Sequence, residues 1–232
     1  MSMALRAENL SKQYFRKTGQ ANCFYAVKDA SLALNSGEVT VLMGRSGSGK
    51  TTLLHMLSGL LTPTEGKVWL GETDVYGLND KALSRLRNGK LGVIPQGRSA
   101  IDTLTALENI LLPAQLAGKG GDIEAAKRWM AALGIEHLSD AMPAELSGGE
   151  LRRMAIARAL AQAPEVILAD EPTGDLDDEN TERVLTVLRD TAKSDGRAVL
   201  IVSHDSEAAR YADHVYWMDG GELSPARTTG MN

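Results

Sequence analysis

The stretch at residues 39–54, Val-Thr-Val-Leu-Met-Gly-Arg-Ser-Gly-Ser-Gly-Lys-Thr-Thr-Leu-Leu, restricts the fold and chemistry of this chain more than any other. Its apolar, β-branched start, residues 39–43, reads as a buried strand. The strand enters the turn Gly44-Arg45-Ser46-Gly47-Ser48-Gly49 and leaves as an apolar helix that opens on Lys50-Thr51-Thr52. Strand, then G-x-x-x-x-G-K-[ST], then helix is the context that separates a phosphate-binding loop from a chance match. Glycines carry no Cβ, so successive backbone N–H groups can converge on phosphate oxygens, and the positive end of the helix points at the same place. Lys50 can reach the outer phosphates and the Thr51 hydroxyl can ligate Mg²⁺. A flexible turn with a solvated lysine is the structural alternative, and it leaves the strand, the spacing and the helix unexplained. Gly47 and Gly49 also begin a G-x-G, but Thr52 stands where a dinucleotide-binding loop has its third glycine. The expectation is a nucleoside triphosphate site.

At 232 residues the chain can bury a substantial core as one large domain or a domain with a lobe. Its net charge of −5 argues weakly against nucleic acid as the main partner. Cys23 is the single cysteine, and the histidines at 55, 137, 204 and 214 are scattered, so no thiolate or histidine metal spacing exists. No apolar run approaches the roughly 18 residues of a membrane span, and the first residues carry no signal-peptide pattern. A cytoplasmic location follows as the expectation, with any membrane role passing through a partner.

Residues 4–10 and 30–34 read as strands of a small N-terminal β region, with the polar segment 16–22 as a hairpin loop. Turns are expected at 35–38 and 62–66, a strand at 67–70, a helix over 78–88, and a short buried strand at 91–94 that ends on Pro95-Gln96. From 104 to 163 the periodicity is helical, with breaks at 118–121 and at Pro143. Strand and helix then alternate: a strand at 166–169, a helix over 179–193, a strand at 198–202, a helix over 206–211 and a last strand near 215–218. This pattern predicts an α/β fold with a mainly parallel, doubly wound sheet. Residues 1–96 and 164–223 would form the nucleotide-binding core, 97–163 an inserted helical lobe, and 224–232 a frayed tail.

Val166-Ile167-Leu168-Ala169-Asp170-Glu171 is an apolar strand that ends in two carboxylates. Neighbouring side chains on a strand point to opposite faces, so the two acids cannot share one role. Asp170 is placed to hold Mg²⁺ through a water, and Glu171 to orient and deprotonate an attacking water. The structural alternative is a pair of capping or surface acids. Leu146-Ser147-Gly148-Gly149-Glu150 opens a long helix, and exposed N–H donors there would make a second anion site. An ordinary N-cap with Glu150 closing a capping box explains the same residues.

Taken in order, the phosphate loop, Gln96 after a strand, Leu-Ser-Gly-Gly-Glu, Ala-Asp-Glu-Pro-Thr-Gly-Asp-Leu-Asp and His204 resemble the nucleotide-binding domain of an ATP-binding cassette (ABC) transporter. The resemblance spans nearly the whole chain. Leu104-Thr105-Ala106-Leu107-Glu108-Asn109 and residues 169–177 are most similar to the ATPases of lipoprotein-release, macrolide-export, cell-division and peptide-resistance systems. It implies an ATPase subunit that dimerises head to tail around two ATP molecules and drives a separate transmembrane permease. In such proteins an aromatic stacks on adenine; Tyr14 matches it, with Phe15, Phe24 and Tyr25 as rivals and core burial open to each. Gln96 matches the glutamine that senses Mg²⁺ and water and links the core to the helical lobe. Ser147, Gly148 and Gly149 match the signature that caps the γ-phosphate bound by the opposite subunit. Residues 175–177 match the loop that crosses the dimer interface, and His204 the histidine that contacts the γ-phosphate.

Some residues depart from that pattern. Glu150 stands where glutamine is commoner, Pro95 replaces an aromatic, and Gly97-Arg98-Ser99-Ala100-Ile101-Asp102 differs from the phenylalanine- and leucine-rich stretch that shapes the permease groove. Arg152 and Arg153 read as a solvated helix face. A soluble ABC ATPase accessory to an enzyme or ribosome assembly remains the alternative. A P-loop GTPase or small-molecule kinase would carry an Asn-Lys-x-Asp motif in the first case, and in either would leave the signature helix unexplained.

Overall fold

The computed structural model describes residues 2–15 and 23–226. In chain order the elements are β1 (Met3–Phe15), β2 (Cys23–Asn35), β3 (Val39–Gly44), α1 (Lys50–Leu57), β4 (Glu65–Leu70), β5 (Thr73–Asp74), α2 (Asp80–Lys90) and β6 (Leu91–Ile94). Then follow α3 (Ala106–Leu116), α4 (Ile123–Ala132), α5 (Gly148–Leu160), β7 (Val166–Asp170), α6 (Asp178–Asp195), β8 (Ala198–Ser203), β9 (His214–Asp219) and β10 (Glu222–Pro225). Two sheets result. One is antiparallel in the order β2-β1-β4-β5; the other runs β10-β9-β3-β8-β7-β6 and is parallel except for the β9–β10 hairpin.

The period of two along the parallel strands divides the core. Val39, Val41, Ile167, Ala169, Val199 and Ile201 face one apolar cluster, built with α3, α4, α5 and α6. Leu42, Val166, Leu168, Leu200 and Val202 face the other, where they meet Leu53, Leu54 and Leu57 of α1 and the antiparallel sheet. A sheet buried on both faces needs continuous apolar strands, as these are. Each fully buried leucine or valine contributes about 1.5–3 kcal/mol. A slip of one residue would exchange the two faces, so the register is strongly held.

Helix starts follow from their caps. Asn79, Thr105, Asp122, Ser147 and Asp177 each accept a backbone N–H of the first turn, and α6 stops at the left-handed Gly196. The apolar residues of α3–α5 are continuous with those of the sheet rather than a separate core.

The helix expected over residues 206–211 is present, wound as a 3₁₀ helix. Three local expectations change. The two-residue β5 and the whole of β10 were not expected. Ser224 and Pro225, read as the start of a tail, pair with Trp217 and Tyr216 as the end of β10. The hairpin loop expected at 16–22 lies outside the described residues, as does the tail beyond 226.

The turn that follows α1 is pinned by Tyr76, whose hydroxyl lies 2.6 Å from the Met56 carbonyl oxygen and 2.7 Å from that of Leu61. Burial pushes the phenol pKa up, so it stays a donor at any ordinary pH. Tyr76→Phe leaves both carbonyls without that donor and should cost about 1–2 kcal/mol in urea unfolding, with the m-value unchanged. A loss below a few tenths would mean that water replaces the hydroxyl.

Candidate nucleotide site

The parallel register brings the C-terminal ends of β3, β7 and β8 together at Gly44, Asp170 and Ser203, and the residues just beyond them line one cleft. The cleft encloses about 950 Å³. Ser46, Gly47, Ser48, Gly49, Lys50, Thr51 and Thr52 form one wall, Gln96, Asp170, Glu171 and His204 another, and Tyr14, Phe24 and Tyr25 a third. Ligands of open parallel sheets bind at this edge.

The loop glycines serve different purposes. At Gly44 a Cβ would strike the Met218 carbonyl oxygen of β9, and at Gly49 the Ala26 carbonyl oxygen of β2. Both also have left-handed φ values, 154° and 108°. Gly47, with a φ of 78°, faces open space and leaves the mouth of the loop clear. So two of the three glycines are required by the protein's own backbone, not by a ligand. The Gly221 N–H donates to the Ser48 carbonyl at 3.0 Å, which completes the clamp.

Lys50 is buried, and its Nζ donates to the carbonyl oxygens of Gly44 at 2.7 Å and Arg45 at 3.0 Å. Arg45, though in the motif, is exposed and does not line the cleft. Asp170 is 1% exposed and neither carboxylate oxygen has a well-aligned hydrogen bond. Burial raises its pKa; the nearby Thr51 hydroxyl lowers it, Glu171 raises it, and His55 and Lys50 lower it further, with burial prevailing. Ser48 Oγ is likewise buried without a partner.

Glu171 leaves the strand at once: its N–H still donates to Val202 at 2.9 Å, but its φ of 50° turns the chain. The left-handed turn, rather than strand alternation alone, separates it from Asp170. Its Oε1 lies 3.0 Å from Nδ1 of His204. Tyr14 and Phe24 stack with ring centroids 5.8 Å apart, and Tyr25 lines the same cleft. Phe15, 77% exposed, does not line it.

Ser147, Gly148 and Gly149 do not line this cleft. Ser147 caps α5 in a capping box: its Oγ accepts the Glu150 N–H, and Glu150 Oε2 accepts the Ser147 N–H at 2.8 Å. The Ser147 N–H and hydroxyl, both donating to Glu150 Oε2 at 2.8 Å, hold the Glu150 carboxyl below its usual pKa.

The characteristic sequence pattern described as "ABC transporter" matches residues 27–174, well over half of the chain. The chain belongs to the ABC transporter family. This ABC ATPase is 38% identical over 227 residues to the lipoprotein-releasing system ATP-binding protein LolD of Granulibacter bethesdensis, covering 97% of this chain and 98% of the relative. It is 37% identical to the ABC transporter ATP-binding protein MJ0796 of Methanocaldococcus jannaschii, covering 94% of each. A dimeric structure of the MJ0796 cassette in a post-hydrolysis state with ADP and Pi superposes with a TM-score of 0.88 at 34% identity, covering 96% of this chain and 99% of that one. The antiparallel N-terminal sheet and the parallel sheet with its helices are therefore those of an ATP-hydrolysing cassette.

Two sequence readings need correction in this ABC ATPase. Arg153 is buried, not solvated, and Arg152 is half-buried with its Nη1 donating to the Pro95 carbonyl at 2.9 Å. Ala26, Gly220 and Gly221 line the cleft without having been singled out. Asp219-Gly220-Gly221-Glu222 is a hairpin-turn signal and would have revealed both β10 and its glycines.

Asp170 supplies a stability test. Its folded-state pKa lies above the unfolded one, so the ionised form costs stability above the folded pKa, and the cost fades as pH falls through it. Asp170→Asn should therefore melt higher than the parent at pH 7, with the gain shrinking towards pH 4. An equal gain at both pH values would remove ionisation as the cause.

Proposed function

We propose that this chain is the ATP-binding and ATP-hydrolysing subunit that pairs head to tail with a second copy around two ATP molecules. It would drive a separate integral membrane permease from the cytoplasmic face. The observation that carries the reading is a division within one chain. Lys50, Gln96, Asp170, Glu171 and His204 share the phosphate-loop cleft, while the signature Ser147-Gly148-Gly149 lies outside it with Ser147 and Gly148 exposed. A signature that serves phosphate must then serve the cleft of another copy. The dimeric MJ0796 cassette supports this. The LolD relative, whose name describes a lipoprotein-releasing system, supports the permease-linked reading over a soluble accessory role. Among the described residues no helix is long and apolar enough to cross a membrane.

In the cleft, Lys50 and the loop N–H groups neutralise phosphate charge. Tyr14, with Phe24 and Tyr25 beside it, offers the base a face to stack on. Glu171, held against His204, takes the proton of the attacking water, and His204 orients the terminal phosphate. Thr51, Asp170 and Gln96 would hold Mg²⁺. The fit rests on the buried Asp170 carboxylate, whose unpartnered oxygens suit a cation or its waters. When bound, that ion supplies charge shielding to the phosphates. Beyond Gln96, Ile101 is exposed and Leu104 half-buried, while Arg98 and Asp102 pair with each other at 2.8 Å on the rim. That segment would form the wall receiving the permease, with the rim charges setting partner choice more than affinity.

Glu171→Gln should keep ATP binding, lower turnover by about 10²–10⁴-fold, and leave an ATP-bound dimer that elutes at twice the monomer mass. Turnover within a factor of two of the parent would remove Glu171 as the base. A species that stays monomeric with ATP would count against the paired sites.

A further inference from the structure

The segment on both sides of Gln96 is tied to one helix. Arg152 Nη1 on α5 donates to the carbonyl of Pro95, the residue directly before Gln96, at 2.9 Å. Six residues further along α5, Arg158 Nη1 donates to the carbonyl of Ser99, three residues after Gln96, at 2.8 Å. The Arg152 guanidinium also lies near the loop that follows Glu171: a Cβ built on Gly174 would sit 3.8 Å from Nη2. At the start of the same helix, a Cβ on Gly149 would touch the Leu176 side chain at 3.0 Å. Helix α5 is therefore hydrogen-bonded to the main chain around Gln96 and lies close against the loop that follows Glu171.

We propose that Arg152 is a positioning residue that acts through Gln96, making the signature helix, Gln96 and the Glu171 loop move as one piece. Gln96 is exposed and its own backbone is flanked by Gly97 at a φ of 87°, so nothing in its immediate sequence fixes where its side chain points. The guanidinium supplies that constraint. Its charge makes the bond to the Pro95 carbonyl stronger than a neutral one, and the same side chain lies on the side of α5 that faces the loop after Glu171. A displacement of α5 at its signature end, where the opposite nucleotide would press, is thereby delivered to the chain's own Gln96. The proposal rests on the reading of Gln96 as a catalytic-site residue.

The test is a double-mutant cycle on the full chain, with steady-state ATP hydrolysis as the readout. Arg152→Gln should lower kcat by about 5–20-fold while leaving KM for ATP within twofold, since misplacement rather than lost binding is the defect. Arg152→Lys, which keeps a cationic donor, should recover most of that loss. The melting temperature of each variant checks that the fold persists, and Arg152, only half-buried, leaves no large cavity when shortened. Combined with Gln96→Ala, Arg152→Gln should cost less than a further twofold, because its route is already cut. Losses that multiply, or an Arg152→Gln kcat within twofold of the parent, would overturn the proposal while leaving the role of Gln96 intact. If Gln96→Ala alone is silent, the catalytic reading of Gln96 fails, and the positioning role fails with it.

Discussion

Everything chemical in this protein depends on one tight contact of backbone on backbone. The phosphate loop is pressed between the Met218 carbonyl of β9 at Gly44 and the Ala26 carbonyl of β2 at Gly49, with Gly221 donating to Ser48 between them. Neither position tolerates a side chain. The loop is thus shaped before any ligand arrives, by strands that are far from it in sequence. Preorganised donors stabilise charge without having to reorient during the reaction, and that is the term from which phosphoryl transfer gains most. The β9–β10 hairpin, which carries none of the catalytic side chains, is therefore part of the catalytic apparatus. Its Glu222 is in turn paired with Lys28 of β2 at 2.8 Å, and that contact raises the lysine pKa.

A second constraint comes from α5. Its N-terminus carries the signature, its body reaches the Gln96 segment through Arg152 and Arg158, and Leu176 packs at its start. One helix thus links the signature to two loops, after β6 and after β7, that the strand register has already gathered at the same edge of the sheet. Because its apolar face is continuous with the main core, the helix cannot shift freely without disturbing the loops it holds.

Much of this was legible in the chain. The phosphate loop, the β7 carboxylates and His204 were readable because each combines a strand's apolar run with residue types that have few other uses at a strand end. The alternation of residues 166–169 and 198–202 between two cores follows directly from β geometry. What was not legible depended on tertiary contact. Arg152 looks solvated because a helical wheel cannot know that the Gln96 segment folds back onto it, and Arg153 beside it is buried as well. The reasons for Gly44 and Gly49 lie in Met218 and Ala26, which no local pattern connects. Ser147 was open to two readings: it caps α5, and its exposure leaves the anion site as a proposal for contact with another copy. The strand β10 was missed although its turn residues announced it, because a short polar strand at an edge carries little hydrophobic signal.

The central claim is that each phosphate loop is completed by the signature of another copy. Gly148 allows a clean measurement, since a Cβ there meets nothing within the chain and an aspartate in the first turn favours the helix. Lys50→Ala chains and Gly148→Asp chains, each inactive alone, are mixed under distinguishable tags and the heterodimer is isolated. Each heterodimer then holds one doubly damaged site and one undamaged site. The account predicts that ATP hydrolysis returns in that species. A heterodimer that forms and remains as inactive as its two parents would contradict it.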